Sequence, residues 1–326
     1  MTASLTRMGL LQANAPCAFI PLKGGVSSDI FCVQSDSQRF CIKRALPRLK
    51  VAAVWEAPIG RNAAEAAWLR EVGAWFPGSV PAVLGEDAEL GLLAMEFLPE
   101  QDHPVWKVQL LHGQIDPTFA AAVGTLLAAI HQRSAGNPEL ATRFANDATF
   151  EPIRLEPYLR ATAIKHPALA DRLNAMADQT LATKKALVHG DASPKNILAG
   201  PHGPVLLDAE CAWWGDPAFD LAFCLNHLLL KAAWAPQWRD RYLAAFDALA
   251  GAYLSGVGWE PRAAFEARAA RLLPALALAR IDGKSPVEYI TDDALRESVR
   301  RRAIALIEQP PERLAAVRAA WTAQAG

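Results

Sequence analysis

A single tight reversal inside an otherwise helical stretch constrains this fold more than any other feature of the chain. Two short β-type runs, Asn196–Ala199 and Val205–Leu207, flank Gly200-Pro201-His202-Gly203-Pro204, a segment rich in the two residues that reverse a chain. The segments around it carry apolar residues at helical period: Pro117–His131, Leu155–Ala163, Pro167–Thr183, Phe219–Leu230, Trp238–Leu249, Pro261–Ala279 and Asp292–Glu308. A lone hairpin among helices returns the chain to its starting point. It therefore brings Asn196 at its entry within reach of Asp208 at its exit.

The texture is different before about residue 100. Short β-like runs (Cys17–Pro21, Ile30–Gln34, Arg39–Arg44, Gly91–Phe97) are punctuated by Gly24-Gly25, Asp36-Ser37 and Gly85-Glu86-Asp87, which read as turns between antiparallel strands. One helix interrupts them, Asn62–Trp75, with an apolar stripe of Ala66, Leu69, Val72 and Trp75 and with Asn62 as its N-cap. The 326 residues exceed one small core, and the change of texture divides them into residues 1–97 and 98–326.

Composition removes whole classes of function. At 52% hydrophobic and 21% charged the chain can bury a large core and is no disordered segment. A net charge of -1 leaves no electrostatic footprint for nucleic acid. The longest apolar stretches, around Phe119–Ile130 and Leu221–Leu230, fall short of the ~18–20 residues that span a bilayer. Met8, Leu10 and Leu11 begin like a signal core, but Gln12 and Asn14 interrupt it. Five cysteines without a CxxC pair fit reduced thiols, and the expectation is a cytoplasmic protein without nucleic-acid or membrane partners, its oligomeric state open.

The chemistry sits beside the hairpin. His189-Gly190-Asp191-Ala192-Ser193-Pro194-Lys195-Asn196 precedes it and Leu206-Leu207-Asp208-Ala209-Glu210 follows it. In these segments the sequence resembles the aminoglycoside phosphotransferase and small-molecule kinase family, relatives of the protein kinases. The resemblance implies a bilobal, protein-kinase-like α+β fold. A small antiparallel-sheet lobe with one key helix would bind ATP, and a larger, mainly helical lobe would bind a small hydroxylated acceptor. Phosphoryl transfer needs a carboxylate to orient the acceptor hydroxyl and hard oxygen ligands for Mg²⁺. By resemblance Asp191 is the catalytic base, and Asn196 and Asp208 are the metal ligands. Lys43, on the strand Phe40-Cys41-Ile42-Lys43, would contact the α- and β-phosphates, with Glu65 or Glu71 as its partner. Gly24, Gly25 and Ser27 form either a phosphate-cradling turn or a plain hairpin. Ala94-Met95-Glu96-Phe97-Leu98-Pro99 resembles the kinase hinge, where Glu96 and Leu98 would carry the adenine-binding backbone groups. Lys195 beside the base is either a γ-phosphate contact or an exposed lysine. Asp220, in Gly215-Asp216-Pro217-Ala218-Phe219-Asp220-Leu221, would support the catalytic loop together with His189. Gly190 stands where protein kinases carry arginine, so a phosphorylated activation loop would have nothing to dock on.

The acceptor is less constrained. Asp208-Ala209-Glu210 and the stretch from Lys43 through Arg70 are similar to the methylthioribose kinase branch, although Asn196 replaces that branch's serine. Gly283-Lys284-Ser285 is not a P-loop, because Leu278 occupies the position of the first glycine. Arg280 and Lys284 end a helix as a C-cap or as part of an acceptor-binding turn, and Glu210 is a further acceptor candidate. Polycationic aminoglycosides need several carboxylates, whereas the region after Pro261 carries an excess of cations, including Arg268, Arg271 and Arg300–Arg302. A neutral or anionic sugar-like metabolite is therefore expected ahead of antibiotic modification. A non-catalytic nucleotide-binding regulator is the competing class, although none of Lys43, Asp191, Asn196 and Asp208 has been lost.

Overall fold

The computed structural model describes residues 1–13, 15–22, 28–36, 38–46 and 61–322. Alternation of side chains along the N-terminal strands builds one antiparallel sheet. It contains β1 (Cys17–Pro21), β2 (Ser28–Ser35), β3 (Arg39–Ala45), β4 (Val83–Asp87) and β5 (Leu92–Glu96), in the order β1-β2-β3-β5-β4. Helix α1 (Thr2–Arg7) puts Leu5 into a cluster with Val33, Phe40, Ile42, Leu92 and Ala94. Ser4 and Arg7 of α1 both reach the Asp87 carboxylate. Helix α2 (Arg61–Trp75) buries Ala66, Trp68, Leu69 and Val72 in a second, larger core that continues into the C-terminal half. Phe40 and Ile42 thus join the α1 cluster, while Lys43 reaches Glu65 of α2.

Two local expectations are overturned. Gly85-Glu86-Asp87 is not a turn but part of β4, and a register shift between Val83 and Gly85 marks a bulge at the glycine. The reversal falls at residues 88–91, where the Asp87 carboxylate accepts the Glu89 and Leu90 N–H groups at 3.1 and 3.2 Å. Asn62 lies inside α2, and its amide donates to the Gly91 carbonyl at 2.6 Å, tying the helix to the sheet. Gly24, Gly25 and Ser27 lie outside the described residues.

The C-terminal half is helical: α3 (Trp106–Leu111), α4 (Pro117–Ser134), α5 (Pro138–Arg143), α6 (Asp147–Phe150), a π-helical run (Glu151–Arg160), α7 (Ala161–Lys165) and α8 (Ala170–Ala182). A pair of strands, β6 (Ala186–Val188) and β9 (Trp213–Gly215), brackets the segment 189–196 and the hairpin of β7 (Ile197–Gly200) and β8 (Gly203–Leu206). Then follow α9 (Ala218–Trp234), α10 (Arg239–Ser255), α11 (Arg262–Asp282), α12 (Asp293–Glu308) and α13 (Leu314–Thr322). Every residue of α9 from Ala218 to Ala232 is buried, as its nearly continuous apolar sequence requires. No described helix is long and apolar enough to cross a membrane, and the five cysteines are free.

Helices α4 and α10 meet backbone to backbone: a Cβ on Gly124 would lie 2.3 Å from the Leu249 carbonyl oxygen. Gly124→Ala is expected to destabilise the protein by about 1–3 kcal/mol through overpacking, outweighing the ~1 kcal/mol of helix propensity gained. An unchanged or raised melting midpoint would contradict this packing.

Candidate active site

The site is assembled around a buried lysine. Lys43 on β3 pairs with Glu65 of α2 at 2.7 Å and with Asp208 just after β8, and its Nζ lies 3.8 Å from Glu210. Glu210 is in turn held by Arg61 at 2.9 Å. Burial alone would lower the Lys43 pKa, but Asp208, Glu65 and Glu210 hold it well above the ordinary value. Burial pushes the Glu65 carboxyl up against the pull of Lys43. Glu65 is thus the glutamate that meets Lys43, whereas Glu71 pairs with Arg143 at 2.9 Å.

The loop after β6 is fixed through its backbone. Asp220, at the start of α9, accepts the N–H groups of His189 and Gly190 at 2.7 and 2.9 Å, and His131 reaches the same carboxylate at 3.2 Å. His189 Nδ1 accepts the Asp191 N–H at 3.1 Å, and its Nε2 donates to the Leu207 carbonyl at 3.0 Å, linking the loop to the end of the hairpin. Burial lowers the His189 pKa, which suits a neutral ring that both donates and accepts. Gly190 is required, with φ 79° and with the Cys211 carbonyl oxygen 2.5 Å from where a Cβ would be.

Asp191 is buried, yet two cations reach its carboxylate: Arg154 at 2.8 Å and Lys195 at 3.0 Å. Burial raises its pKa, but Arg154 and Lys195 outweigh burial and leave it below the ordinary carboxylate value. Arg154 also donates to the Gly190 carbonyl at 2.5 Å. Sequence reasoning missed Arg154, and its position within a π-helical run is the type of irregularity that often accompanies functional sites. The Lys195 side chain is 50% exposed.

Asn196 donates its amide to the Asp191 carbonyl at 3.0 Å, which leaves its side-chain carbonyl as the atom available to a cation. Asp208 has φ 64°, the one positive value outside glycine among the described residues. Burial raises the Asp208 pKa, but Lys43 and Lys195 hold it well below the ordinary range, so it is a carboxylate. Asn196 and Asp208 supply hard oxygens to one cavity of about 240 Å³, and Mg²⁺ ordinarily takes one or two protein oxygens plus phosphates and water. The residues therefore fit the ion. Lys43 and Lys195 line the same cavity, whose apolar part includes Ile30, Met95, Leu98 and Leu198.

Glu96, Phe97 and Leu98 line the cavity after β5. The Glu96 N–H is already committed to the Ala82 carbonyl at 2.9 Å, so of its backbone groups only the carbonyl could face a base. Among the described residues no hydrogen bond occupies the Leu98 N–H. Glu210 faces Arg61 and Lys43. Arg280 donates to Ser285 at 2.8 Å and to the Tyr158 hydroxyl at 3.3 Å, while Lys284 forms a surface pair with Glu156 at 2.6 Å. Arg268 is bound to Asp216 and Glu260.

A family model described as the phosphotransferase enzyme family matches residues 18–265. The chain belongs to that family. Among the curated proteins, the chain is similar to a methylthioribose kinase of Bacillus velezensis, 28% identical over 258 residues that cover 71% of this chain and 65% of that protein. A methylthioribose kinase of Yersinia pseudotuberculosis is 26% identical over 226 residues, covering 61% of this chain and 54% of its own. The chain thus spans between about half and just under two thirds of these relatives. Among solved structures, an amicoumacin kinase in complex with AMP-PNP, Ca²⁺ and Ami superposes with a TM-score of 0.56 at 12% identity, covering 96% of this chain and 95% of that one. A choline/ethanolamine kinase family protein from Mesorhizobium loti gives 0.54 at 16% identity, covering 98% and 99%. At such identities the likeness concerns the fold, which is the protein-kinase-like α+β fold of the family.

The Arg154–Asp191 pair generates a pH-dependent expectation. A carboxylate whose folded-state pKa is depressed contributes stability that is present above its unfolded value of about 3.9 and is lost as pH falls through the folded value. Arg154→Met should cost about 3–5 kcal/mol at pH 7, the usual result of breaking a buried pair. The gap from wild type should narrow as the pH falls below about 4. Melting curves of both proteins across pH would read this, and a gap independent of pH would rule out the ion pair as its source.

Proposed function

We propose that the protein is an ATP- and Mg²⁺-dependent kinase that moves the γ-phosphoryl group to a hydroxyl of a small molecule. Residues 1–97 would form the nucleotide lobe, and residues 98–326 would carry the catalytic loop and the acceptor site. The observation that carries this reading is the convergence of Lys43, Asn196 and Asp208 on one cavity, with Asp191 on the loop beside it. Lys43 is positioned by Glu65 to meet phosphate oxygens, and Asn196 and Asp208 would hold the cation. When bound, Mg²⁺ offsets the charge of the terminal phosphates during transfer.

Asp191 receives the acceptor hydroxyl. Because Arg154 and Lys195 depress its pKa, it is a weak base, and its main work is orientation. The acceptor oxygen bonds to the γ-phosphorus as the bond from phosphorus to the ADP oxygen breaks. The hydroxyl proton passes late to the Asp191 carboxylate, consistent with a loose transition state that makes little demand on base strength. Lys195, 3.0 Å from Asp191, neutralises the transferring group from the acceptor side. The acceptor is a neutral or anionic hydroxylated metabolite, sugar-like in the manner of the methylthioribose kinases to which the chain is similar.

Asp191→Ala should lower kcat by about 10²–10⁴-fold while nucleotide affinity is kept. Asp208→Ala should instead lose Mg²⁺-dependent nucleotide affinity, and Lys195→Met should lower kcat with little effect on nucleotide binding. These variants would be measured by ATP consumption against methylthioribose, other sugars, choline, homoserine and aminoglycosides. Wild-type turnover by Asp191→Ala would defeat the base assignment. Turnover of aminoglycosides alone would overturn the acceptor class, and nucleotide binding without turnover of any acceptor would favour a regulator.

A further inference from the structure

Helix α9 is apolar along most of its length, but toward its C-terminal end it carries Asn226, His227 and Lys231, all buried. Asn226 and Lys231 are poorly satisfied. Among the described residues, both amide atoms of Asn226 and the ammonium of Lys231 have no hydrogen-bond partner, and neither do Nε of Arg280 and the hydroxyl of Tyr289 nearby. The contact found for Lys231 is the Tyr289 ring, 4.4 Å from Nζ to the centroid. The group reaches the π-helical run that carries Arg154, the partner of Asp191: His227 packs edge-on to Phe223, Phe223 on Tyr158 of that run, and Arg280 donates to the Tyr158 hydroxyl.

Buried polar groups without partners are costly, and proteins rarely keep several together without a use for them. The charges here are also one-sided. Arg280, Lys231, Lys195 and Lys107 all act on His227, while the acid that acts on Lys231 is Glu288, already paired with Lys107. Lys107, Arg280 and Tyr289 are half-buried around the fully buried Lys231.

We propose that Lys231, His227 and Arg280, with Asn226 and the Tyr289 hydroxyl, form an anion subsite of the acceptor pocket, which holds a carboxylate or phosphate group of the acceptor while its hydroxyl lies at Asp191. The assignment rests on the kinase reading and narrows its acceptor to an anion-bearing alcohol. Electrostatics agree with it. Burial and the neighbouring Lys107 bring Lys231 down to about 7, and burial with Arg280 and Lys231 holds His227 well below its ordinary value. An arriving anion relieves both groups. A polycationic acceptor would be repelled from the same position.

The test uses the full-length protein with AMP-PNP and Mg²⁺, titrated calorimetrically with matched probes: glycerol, glycerate and glycerol 3-phosphate, then glucitol, gluconate and glucose 6-phosphate. At least one anionic probe should bind at least about tenfold more tightly than its neutral counterpart, a difference of ~1.4 kcal/mol. Whether the carboxylates or the phosphates lead identifies the group. Lys231→Met should abolish the preference without weakening neutral probes. It removes a buried ammonium with no hydrogen-bond partner and should melt no lower than wild type. Arg280→Gln, at the half-buried edge, should reduce the preference in the same direction and serves if Lys231→Met fails to fold. Absence of any anion preference, or its survival in both variants, overturns the subsite. Melting with ATP and Mg²⁺ separates the two readings: no nucleotide-induced shift would sink the kinase reading itself, whereas a normal shift without anion preference sinks the subsite alone.

Discussion

A primary ammonium taken out of water costs several kcal/mol unless carboxylates surround it, and Lys43 sets this requirement for much of the structure. Its partners come from two separate places in the chain: Glu65 on α2, and Asp208 and Glu210 after the hairpin. Satisfying one charge therefore fixes how α2 lies on the sheet and where the hairpin ends. Arg61 extends the same network by holding Glu210 and donating to the Leu46 carbonyl at 2.7 Å. The edge of Trp68 against His189, with ring centroids 4.9 Å apart, adds a contact between α2 and the loop after β6.

Asp220 plays a corresponding part on the helical side. Its two oxygens accept consecutive backbone N–H groups of the loop, so the loop's course follows from the position of α9 rather than from any flexible segment. His131, backed by the Tyr253 hydroxyl at 2.5 Å, holds that carboxylate from α4 and α10. Asp191 is left with side-chain cations as partners and Asn196 with a free carbonyl oxygen. The loop's backbone is held at His189 and Gly190, while Lys195 and Asn196 line the cavity.

Much of this was legible in the sequence. The strand Arg39–Arg44, the helix from Asn62 and the hairpin before Asp208 were carried by strong local patterns, and the resemblance in the HGD segment singled out Asp191, Asn196 and Asp208. What escaped was decided by tertiary context. Gly85-Glu86-Asp87 has the composition of a turn, but pairing with β5 and a bulge absorb the glycine into β4. Asn62 looks like a cap and instead bonds across to Gly91. Arg154 lies just before Leu155–Ala163, a stretch whose apolar spacing reads as ordinary helix, and its partner Asp191 is distant in sequence, so no one-dimensional pattern joins the two. The unpartnered groups of α9 were equally invisible, because a lysine and a histidine within an apolar helix give no sign of what they face.

Helix α9 also imposes a length. It holds the loop after β6 through Asp220 in its first turn and carries Lys231 near its other end, and at 1.5 Å of rise per residue these two points are about 16 Å apart along the axis. A packed helix does not stretch, so it acts as a ruler between the loop anchor and the buried ammonium. Selectivity of such a pocket would then depend on reach as well as on charge. A molecule with the right groups at the wrong separation can engage one end or the other, and being held at the far end alone makes it an inhibitor rather than a poor substrate.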